Sequence, residues 1–153
     1  MYLVGIDPGL SGAIALAGPD NVSAWDMPLL NDGTKKQLDL LNIIDLLKSF
    51  PETSKVVLEK AQPMPRDGSM GSFRYGEVYG ALKALIVSMK LPLIEVAPIT
   101  WKTKIVGKGK DKDASRMLVM QLFPQLSKQF QIKKSHNRAE AILLTEYGKR
   151  FLF

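Results

Sequence analysis

The sequence contains no cysteine and a single histidine, and aromatic residues make up only 8% of its 153 residues. Without cysteine the chain can form neither a disulfide framework nor a thiolate-bound metal site, which fits a reducing compartment. No apolar stretch approaches the roughly 20 residues that a membrane-spanning helix needs. We therefore expect no membrane partner.

What the chain does contain is a substantial hydrophobic fraction and an uneven charge. Hydrophobic residues make up 46% of the sequence, which argues against disorder and predicts one domain over residues 1–153. Residues 1–98 carry 9 Lys or Arg against 11 Asp or Glu, a net charge of −2, whereas residues 99–153 carry 12 against 4, a net charge of +8. A basic half favours a polyanion partner, nucleic acid first, although it could also be only a solvated surface.

Short apolar runs between turn residues predict five strands, within "YLVGID", "GAIALAG", "NVSAWDM", "KVVLE" and "PLIEVAP". Helical spacing of apolar residues predicts helices over 38–50, 73–89, 114–123 and 135–150, with Trp101 in a short connection that could be one helical turn. The first three strands are close in sequence and should form an antiparallel meander. The pattern predicts an α/β domain with a mixed five-stranded sheet, three antiparallel and then two parallel strands, and helices on both faces.

Two predicted strands end in an acid: Asp7 ends the first and Glu59 ends the fourth. If these strands are neighbours, the two carboxylates come close together, and such a pair near a core is unfavourable unless a cation joins it. Mg²⁺ or Mn²⁺ is the natural cation for carboxylate oxygens. The alternatives are that Asp7 merely starts the "DPGLSG" turn and that Glu59 is an ordinary exposed acid.

The segment "SHNRAEAILL" places Asn137 and Glu140 three residues apart, so on a helix they share one face. Glu140 lies among small and apolar residues, which indicates that the helix turns it inward. The alternative is a capping box, with Asn137 at the N-cap and Glu140 as its partner acid. His136 could be a base, a ligand or a surface residue.

These motifs together resemble the RuvC-type Holliday junction resolvases, most of all their compact phage and organelle relatives. The resemblance is carried by "GIDPGLSGAIAL", "VVLEKAQ", "GSFRYGEVYGAL", "TWKTKIVGKGKDKD" and "HNRAEAILLTEYGKR", in the family's order along nearly the whole chain. It implies a ribonuclease H-like fold and a homodimer that resolves four-way DNA junctions by paired symmetric nicks. It also implies Mg²⁺, with Mn²⁺ as a substitute and two ions per site, and no small-molecule cofactor.

The family's four metal-binding acids match Asp7, Glu59, Asn137 and Glu140, which are therefore the predicted catalytic and metal-binding residues. At the third position the family usually has Asp, and here Asn137 supplies an amide oxygen but no negative charge. His136 is a possible auxiliary group. The resemblance thus implies an endonuclease whose activity Asn137 could weaken.

The predicted DNA contacts lie in two segments. The basic loop should neutralise backbone phosphates, and its lysines are Lys102, Lys104, Lys108, Lys110 and Lys112. In the segment after Glu59, some family members use an aromatic residue to unstack the junction centre. Here the candidates for wedging or contact are Met64, Met70, Phe73, Arg74 and Tyr75. For Phe73 and Tyr75, packing of the helix is the alternative.

Three other functions compete with junction resolution. A sugar-kinase or actin-like ATPase shares a "GIDPGLSG"-like phosphate loop, but it needs a second domain for which 153 residues leave no room. A ribonuclease H-like nuclease for other branched DNA is one alternative, and a junction-binding protein without cleavage is another. For the homodimer, the helix at "YGEVYGALKALIVSM" is the candidate interface. The expected location is the cytoplasm of a bacterial or phage-infected cell, or an organelle matrix if a transit peptide has been removed.

Overall fold

The computed structural model describes residues 1–31, 33, 35–62, 68–109 and 113–153. Its strands are β1 Leu3–Asp7, β2 Ala13–Ala17, β3 Val22–Asp26, β4 Leu29–Asn31, β5 Lys36–Leu38, β6 Lys55–Glu59 and β7 Leu93–Val96. Its helices are α1 Leu40–Lys48, α2 Gly68–Ser88, α3 Pro98–Ile105, α4 Ala114–Leu122 and α5 His136–Phe151, with two 3₁₀ segments at Pro124–Phe130 and Lys133–Ser135. Within these ranges, none of the helices is long and apolar enough to span a membrane.

Five strands form one sheet in the order β3-β2-β1-β6-β7. The pairs β1–β2 and β2–β3 are antiparallel, whereas β1–β6 and β6–β7 are parallel. The predicted mixed sheet is therefore confirmed, and the two strands that end in acids are neighbours at its centre. Parallel neighbours end at the same edge, so this topology brings Asp7 and Glu59 together.

Three local predictions differ from the structure. A hairpin of β4 and β5 was not predicted, because its three-residue strands are too short to show an alternating pattern. Helix α2 begins at Gly68 and not at Phe73. The predicted start was too late because "GSMGS" has the composition of a loop. Trp101 lies within helix α3, whose eight residues exceed the single helical turn that the prediction allowed for this connection.

The two faces of the sheet carry different helices, as the alternation of strand side chains requires. Val4 and Ile6 of β1 pack with residues of α1 and α2 in one core cluster. Val57 of β6 packs on the other face, in a cluster with residues of α3, α4 and α5. By the same alternation Asp7 and Glu59 point to the α5 face.

Gly5 allows α5 to lie directly on β1. A Cβ atom at this position would stand 2.1 Å from the carbonyl oxygen of Ala141, so no other residue fits without moving the helix. Ala141 follows Glu140 in the chain. The close approach of backbone to backbone therefore places Glu140 at the edge of the sheet where β1 and β6 end.

Candidate active site

Asp7 and Glu59 form the base of the candidate site. Ile6 of β1 is in register with Leu58 of β6, so the acids that follow them lie side by side at the carboxyl edge of the sheet. Both side chains are buried. The prediction that these strand ends meet is confirmed, and Glu59 is not the ordinary exposed acid of the alternative interpretation.

Glu140 adds a third buried carboxylate from the second turn of α5. Its Oε1 lies 2.8 Å from Nζ of Lys102 and 3.2 Å from Nε2 of His136. Nζ of Lys102 also donates to Oε2 at 3.0 Å, and the Ser115 hydroxyl lies 3.5 Å from Oε1. Glu140 is thus turned inward, as predicted, and is surrounded by donors.

The pKa values of the three acids are shifted in different directions. Burial raises the pKa of Asp7 well above its ordinary value, and the negative charges of Glu59 and Glu140 add to this effect. Burial also raises the pKa of Glu59, and the opposing effects of Lys102 and Trp101 do not cancel it. Burial works to raise the pKa of Glu140 too, but its contacts with His136 and Lys102 outweigh burial and lower it. Asp7 and Glu59 therefore lack a full counter-charge.

Helix α3 supplies two contacts to the site that sequence reasoning did not predict. The indole Nε1 of Trp101 donates a 2.6 Å hydrogen bond to Oε2 of Glu59. The next residue, Lys102, pairs with Glu140. The reason lies in the topology, because Val96 of β7 is in register with Glu59 and α3 begins at Pro98, directly beyond it. No local sequence signal marks these contacts, which arise only when β6 and β7 pair.

Asn137 is the second residue of α5, whose N-cap is Ser135. The capping-box interpretation is therefore wrong, since Asn137 lies inside the helix. Its side-chain Nδ2 instead donates to the backbone oxygen of Ser11, in the turn between β1 and β2. Arg138 pairs with Asp26 at the end of β3, with 3.2 Å between Nε and Oδ1. These two contacts join the start of α5 to the strand ends around the site.

His136 lies at the first position of α5 and faces Glu140 through Nε2. Its other ring nitrogen, Nδ1, is buried and has no hydrogen-bond partner in the described part of the chain. The imidazole therefore stands at the edge of the acid cluster with one buried nitrogen unsatisfied among the described residues. Its auxiliary role stays a prediction.

The three predicted DNA-contact lysines that the structure describes, Lys102, Lys104 and Lys108, have different surroundings. Lys102 turns into the acid cluster, so its ammonium belongs to the site itself. Lys104 lies over the ring of Phe151, 4.8 Å from its centroid, at the far end of α5. Lys108 is exposed. Lys110 and Lys112 lie outside the described residues.

The predicted contacts in α2 lie at its beginning. Phe73 is 70% exposed, which excludes helix packing as its role within the monomer, and Met70 and Arg74 are exposed as well. The ring of Tyr75 lies against the turn after Asp7, because a Cβ on Gly9 would be 3.7 Å from its Cε2. Met64 is outside the described residues. The start of α2 therefore borders the acid cluster and presents an apolar side chain to solvent.

The donor set of the site suits a hard divalent cation. Asp7, Glu59 and Glu140 offer carboxylate oxygens, which Mg²⁺ and Mn²⁺ prefer. As the side chains lie, no three His, Asp or Glu residues of the described ranges are close enough to enclose an ion. Lys102 instead provides the positive charge beside Glu140. The raised pKa values of Asp7 and Glu59 nevertheless indicate that an added cation would be stabilised here.

Sequence comparisons give no relatives, since no model of a protein family and no curated protein matches the chain. Structural comparison does. Thermus thermophilus RuvC matches with a TM-score of 0.64 at 18% identity, over 98% of this chain and 96% of that chain. T. thermophilus RuvC in complex with a Holliday junction substrate matches with a TM-score of 0.64 at 15% identity, over 99% and 97% of the two chains. The chain therefore has the mixed α/β fold of RuvC along almost its full length.

Proposed function

We propose that this chain with the RuvC fold is a structure-selective endonuclease that resolves four-way DNA junctions. The observation that carries the proposal is the meeting of Asp7, Glu59 and Glu140 at one edge of the sheet, buried and short of positive charge. One of the matching structures holds a Holliday junction substrate. The basic half of this chain, which includes α3, α4 and α5, gives it the charge to bind the same kind of polyanion.

In the proposed reaction, Asp7, Glu59, Glu140 and the Asn137 amide oxygen would hold divalent metal ions. Bound Mg²⁺ or Mn²⁺ would polarise the scissile phosphate and lower the pKa of the attacking water. The chain's own groups prepare the site. Trp101 orients Glu59 through its indole N–H. Glu140 is held by His136 and Lys102, and Gly5 allows α5 to lie against β1.

Lys102 has a second part in this proposal. Its ammonium pairs with Glu140. The negative charges of Glu140, Glu59 and Asp7 together raise the pKa of Lys102, although burial works to lower it. Lys102 is therefore held charged beside the place where a phosphate would lie. It would neutralise the phosphate at the cleavage point rather than the backbone elsewhere.

Lys104 and Lys108 of the predicted basic loop are both exposed, but Lys104 lies over the ring of Phe151, so Lys108 is the better test of a phosphate contact. Lys108→Gln is expected to weaken binding of all four-way junction sequences about equally, because a phosphate contact carries no base information. The slope of log affinity against log salt should fall by about one unit for one lost contact. Lys48→Gln, at an exposed site of α1 on the opposite face of the sheet, is the control. Equal binding by both variants in low salt would assign Lys108 to a solvated surface.

The homodimer interface is proposed to lie on α2. The helix buries Leu82, Leu85 and Ile86 against the sheet. Its outer side carries a stripe of exposed uncharged residues between the charged residues Arg74, Glu77 and Lys83, and the members of the stripe are Phe73, Gly76, Gly80, Ala84 and Val87. Such a stripe on an exposed helix is a candidate surface for packing against a second helix. A second copy of the chain fits this surface, since a four-way junction presents two equivalent strands to a twofold symmetric protein.

Gly80→Arg tests this interface. A Cβ at Gly80 would meet nothing within 4 Å, so the monomer accommodates the change, and Arg favours a helix more than Gly does. Sedimentation at micromolar concentration is expected to show a dimer for the wild type and a monomer for the variant. Equal circular dichroism spectra would show that both are folded. A wild type that stays monomeric with and without junction DNA would contradict the proposal.

One experiment tests the function as a whole. Labelled four-way, three-way, flap and linear duplex DNA are incubated with the protein in Mg²⁺ and in Mn²⁺, and binding and cleavage are measured on the same substrates. Junction resolution predicts paired, symmetric cuts only in the four-way substrate. Cleavage of three-way or flap DNA at equal rates would assign the chain to the other branched-DNA nucleases.

A junction-binding protein without cleavage is the second candidate. It is favoured by Asn137, whose side chain donates to Ser11 rather than offering a charge to the site. It is also favoured by Lys102, which already balances Glu140. Tight, selective binding of the four-way substrate without product in either metal would establish this second function.

A further inference from the structure

Trp101 is fully buried, and the partner of its indole N–H is a carboxylate of the candidate site. The ring lies in the core cluster between the sheet and the helices α4 and α5. From there its Nε1 donates a short hydrogen bond of 2.6 Å to Oε2 of Glu59, and hydrogen bonds to a carboxylate are shorter and stronger than those between neutral groups. No other hydrogen bond joins Glu59 to a side chain of the described ranges. One oxygen of Glu59 is therefore held, and the other is left to the site.

We propose that Trp101 is a positioning residue for Glu59, which it holds so that only one carboxylate oxygen faces a bound divalent cation. This inference rests on the proposed metal-dependent function and adds to it a residue outside the predicted ligand set. The indole suits the task because it is large and rigid. Packing fixes the ring on all sides, so its N–H keeps its position whether or not a cation is bound.

The neighbouring residue strengthens the argument. Trp101 and Lys102 are consecutive in α3, and they contact acids from two different elements, Glu59 of β6 and Glu140 of α5. One turn of helix thereby determines the orientation of two of the three carboxylates. A Trp that only filled the core would need an acceptor for its N–H, but a backbone carbonyl would serve equally well.

Metal affinity of the protein alone provides the first test. Trp101→Phe keeps an aromatic ring in the core and removes the donor. Calorimetric titration with Mn²⁺ is expected to give a dissociation constant about 10- to 100-fold higher than in the wild type. Trp25→Phe is the matched control, because Trp25 is the other Trp of the chain and stacks on Phe50. Unchanged Mn²⁺ affinity in a folded Trp101→Phe protein would overturn the proposal.

The indole proton resonance provides a second test, in which Trp101 itself is left unchanged. The chain has two Trp residues, so ¹⁵N-labelled protein gives two indole signals, which Trp25→Phe assigns. Glu59→Gln is expected to move the Trp101 signal upfield and to speed its hydrogen exchange, because a neutral amide accepts a weaker bond than a carboxylate. Asp7→Asn, at the buried acid of the neighbouring strand, should leave it nearly unchanged. A Trp101 signal that ignores Glu59→Gln would refute the contact.

These tests separate this inference from the proposed function. If Mg²⁺ and Mn²⁺ do not bind the wild type, the metal-dependent function fails, while the Glu59→Gln spectrum still decides whether Trp101 holds Glu59. If Mg²⁺ binds by calorimetry, titration should move the Trp101 signal and not the Trp25 signal. Binding that leaves both signals in place would show that Trp101 has no part in the site.

Discussion

The Asp7→Asn protein is expected to bind four-way junctions as well as the wild type and to cut none of them. Asp7 is a buried residue at the base of the proposed site, and an amide in its place lowers the affinity for a cation. We expect the cleavage rate to fall by on the order of 10²–10³-fold or more, the scale for removing one preorganised electrostatic group from a reaction centre. Junction affinity should stay within about twofold, since it depends on the basic surface.

The same substitution is expected to stabilise the protein in the absence of divalent cations. Burial and the neighbouring acids raise the pKa of Asp7, so its ionised form is unfavourable in the folded state. Because the folded pKa lies above the unfolded one, this penalty is absent in acid and develops as the pH rises through the folded value. At neutral pH, Asp7→Asn should therefore raise the free energy of unfolding by about 1–2 kcal/mol.

Two measurements check these expectations. Single-turnover cleavage and gel-shift titration on one labelled junction compare wild type, Asp7→Asn and a control, Asp45→Asn, at an exposed position of α1. Thermal unfolding from acid to neutral pH without divalent cations should show the stability gap widening as the pH rises. A variant that cuts normally would remove Asp7 from the site.

Asn137→Asp is expected to increase cleavage by about 10²-fold or more, in the direction opposite to Asp7→Asn. The proposed site has three acids where the family it resembles has four, so a second ion should bind weakly. An aspartate at this position adds the missing charge on the same helix turn. In the wild type, turnover is expected to be very low in Mg²⁺ and partly restored by Mn²⁺.

The effect on stability separates this role from a purely structural one. The Asn137 side chain donates to the Ser11 backbone oxygen, and an ionised Asp cannot. Loss of that bond costs about 1 kcal/mol. A negative charge in the first turn of a helix stabilises the folded protein by roughly 0.3–1 kcal/mol. Stability should therefore change little, while the cleavage rate changes greatly.

Single-turnover cleavage of a labelled four-way junction by both proteins decides the matter, with thermal unfolding as the control for folding. Equal cleavage rates would mean that Asn137 serves only to join α5 to the β1–β2 turn. His136 or another group would then complete the site. Faster cleavage together with tighter Mn²⁺ binding would establish position 137 as a ligand.

The sequence alone determined the sheet and the acids that lie at its edge. Apolar runs that end in Asp7 and Glu59 are local patterns, and the helix before β6 supplies the crossover that a parallel pair requires, whereas only the structure shows that β1 and β6 are neighbours. The inward turn of Glu140 followed from its small and apolar neighbours on one helix. These features can be predicted from the sequence because each depends on a local pattern of residues and on the order of the elements along the chain.

The tertiary structure decided which groups surround those acids. Trp101 and Lys102 read as part of a basic connection, and they reach Glu59 and Glu140 only because β7 pairs with β6 and directs α3 across the sheet edge. Asn137 reads equally well as a helix cap, and its contact with Ser11 requires α5 to lie against the β1–β2 turn. Contacts between residues far apart in sequence depend on how the elements pack, and packing leaves no periodic signal in any one segment.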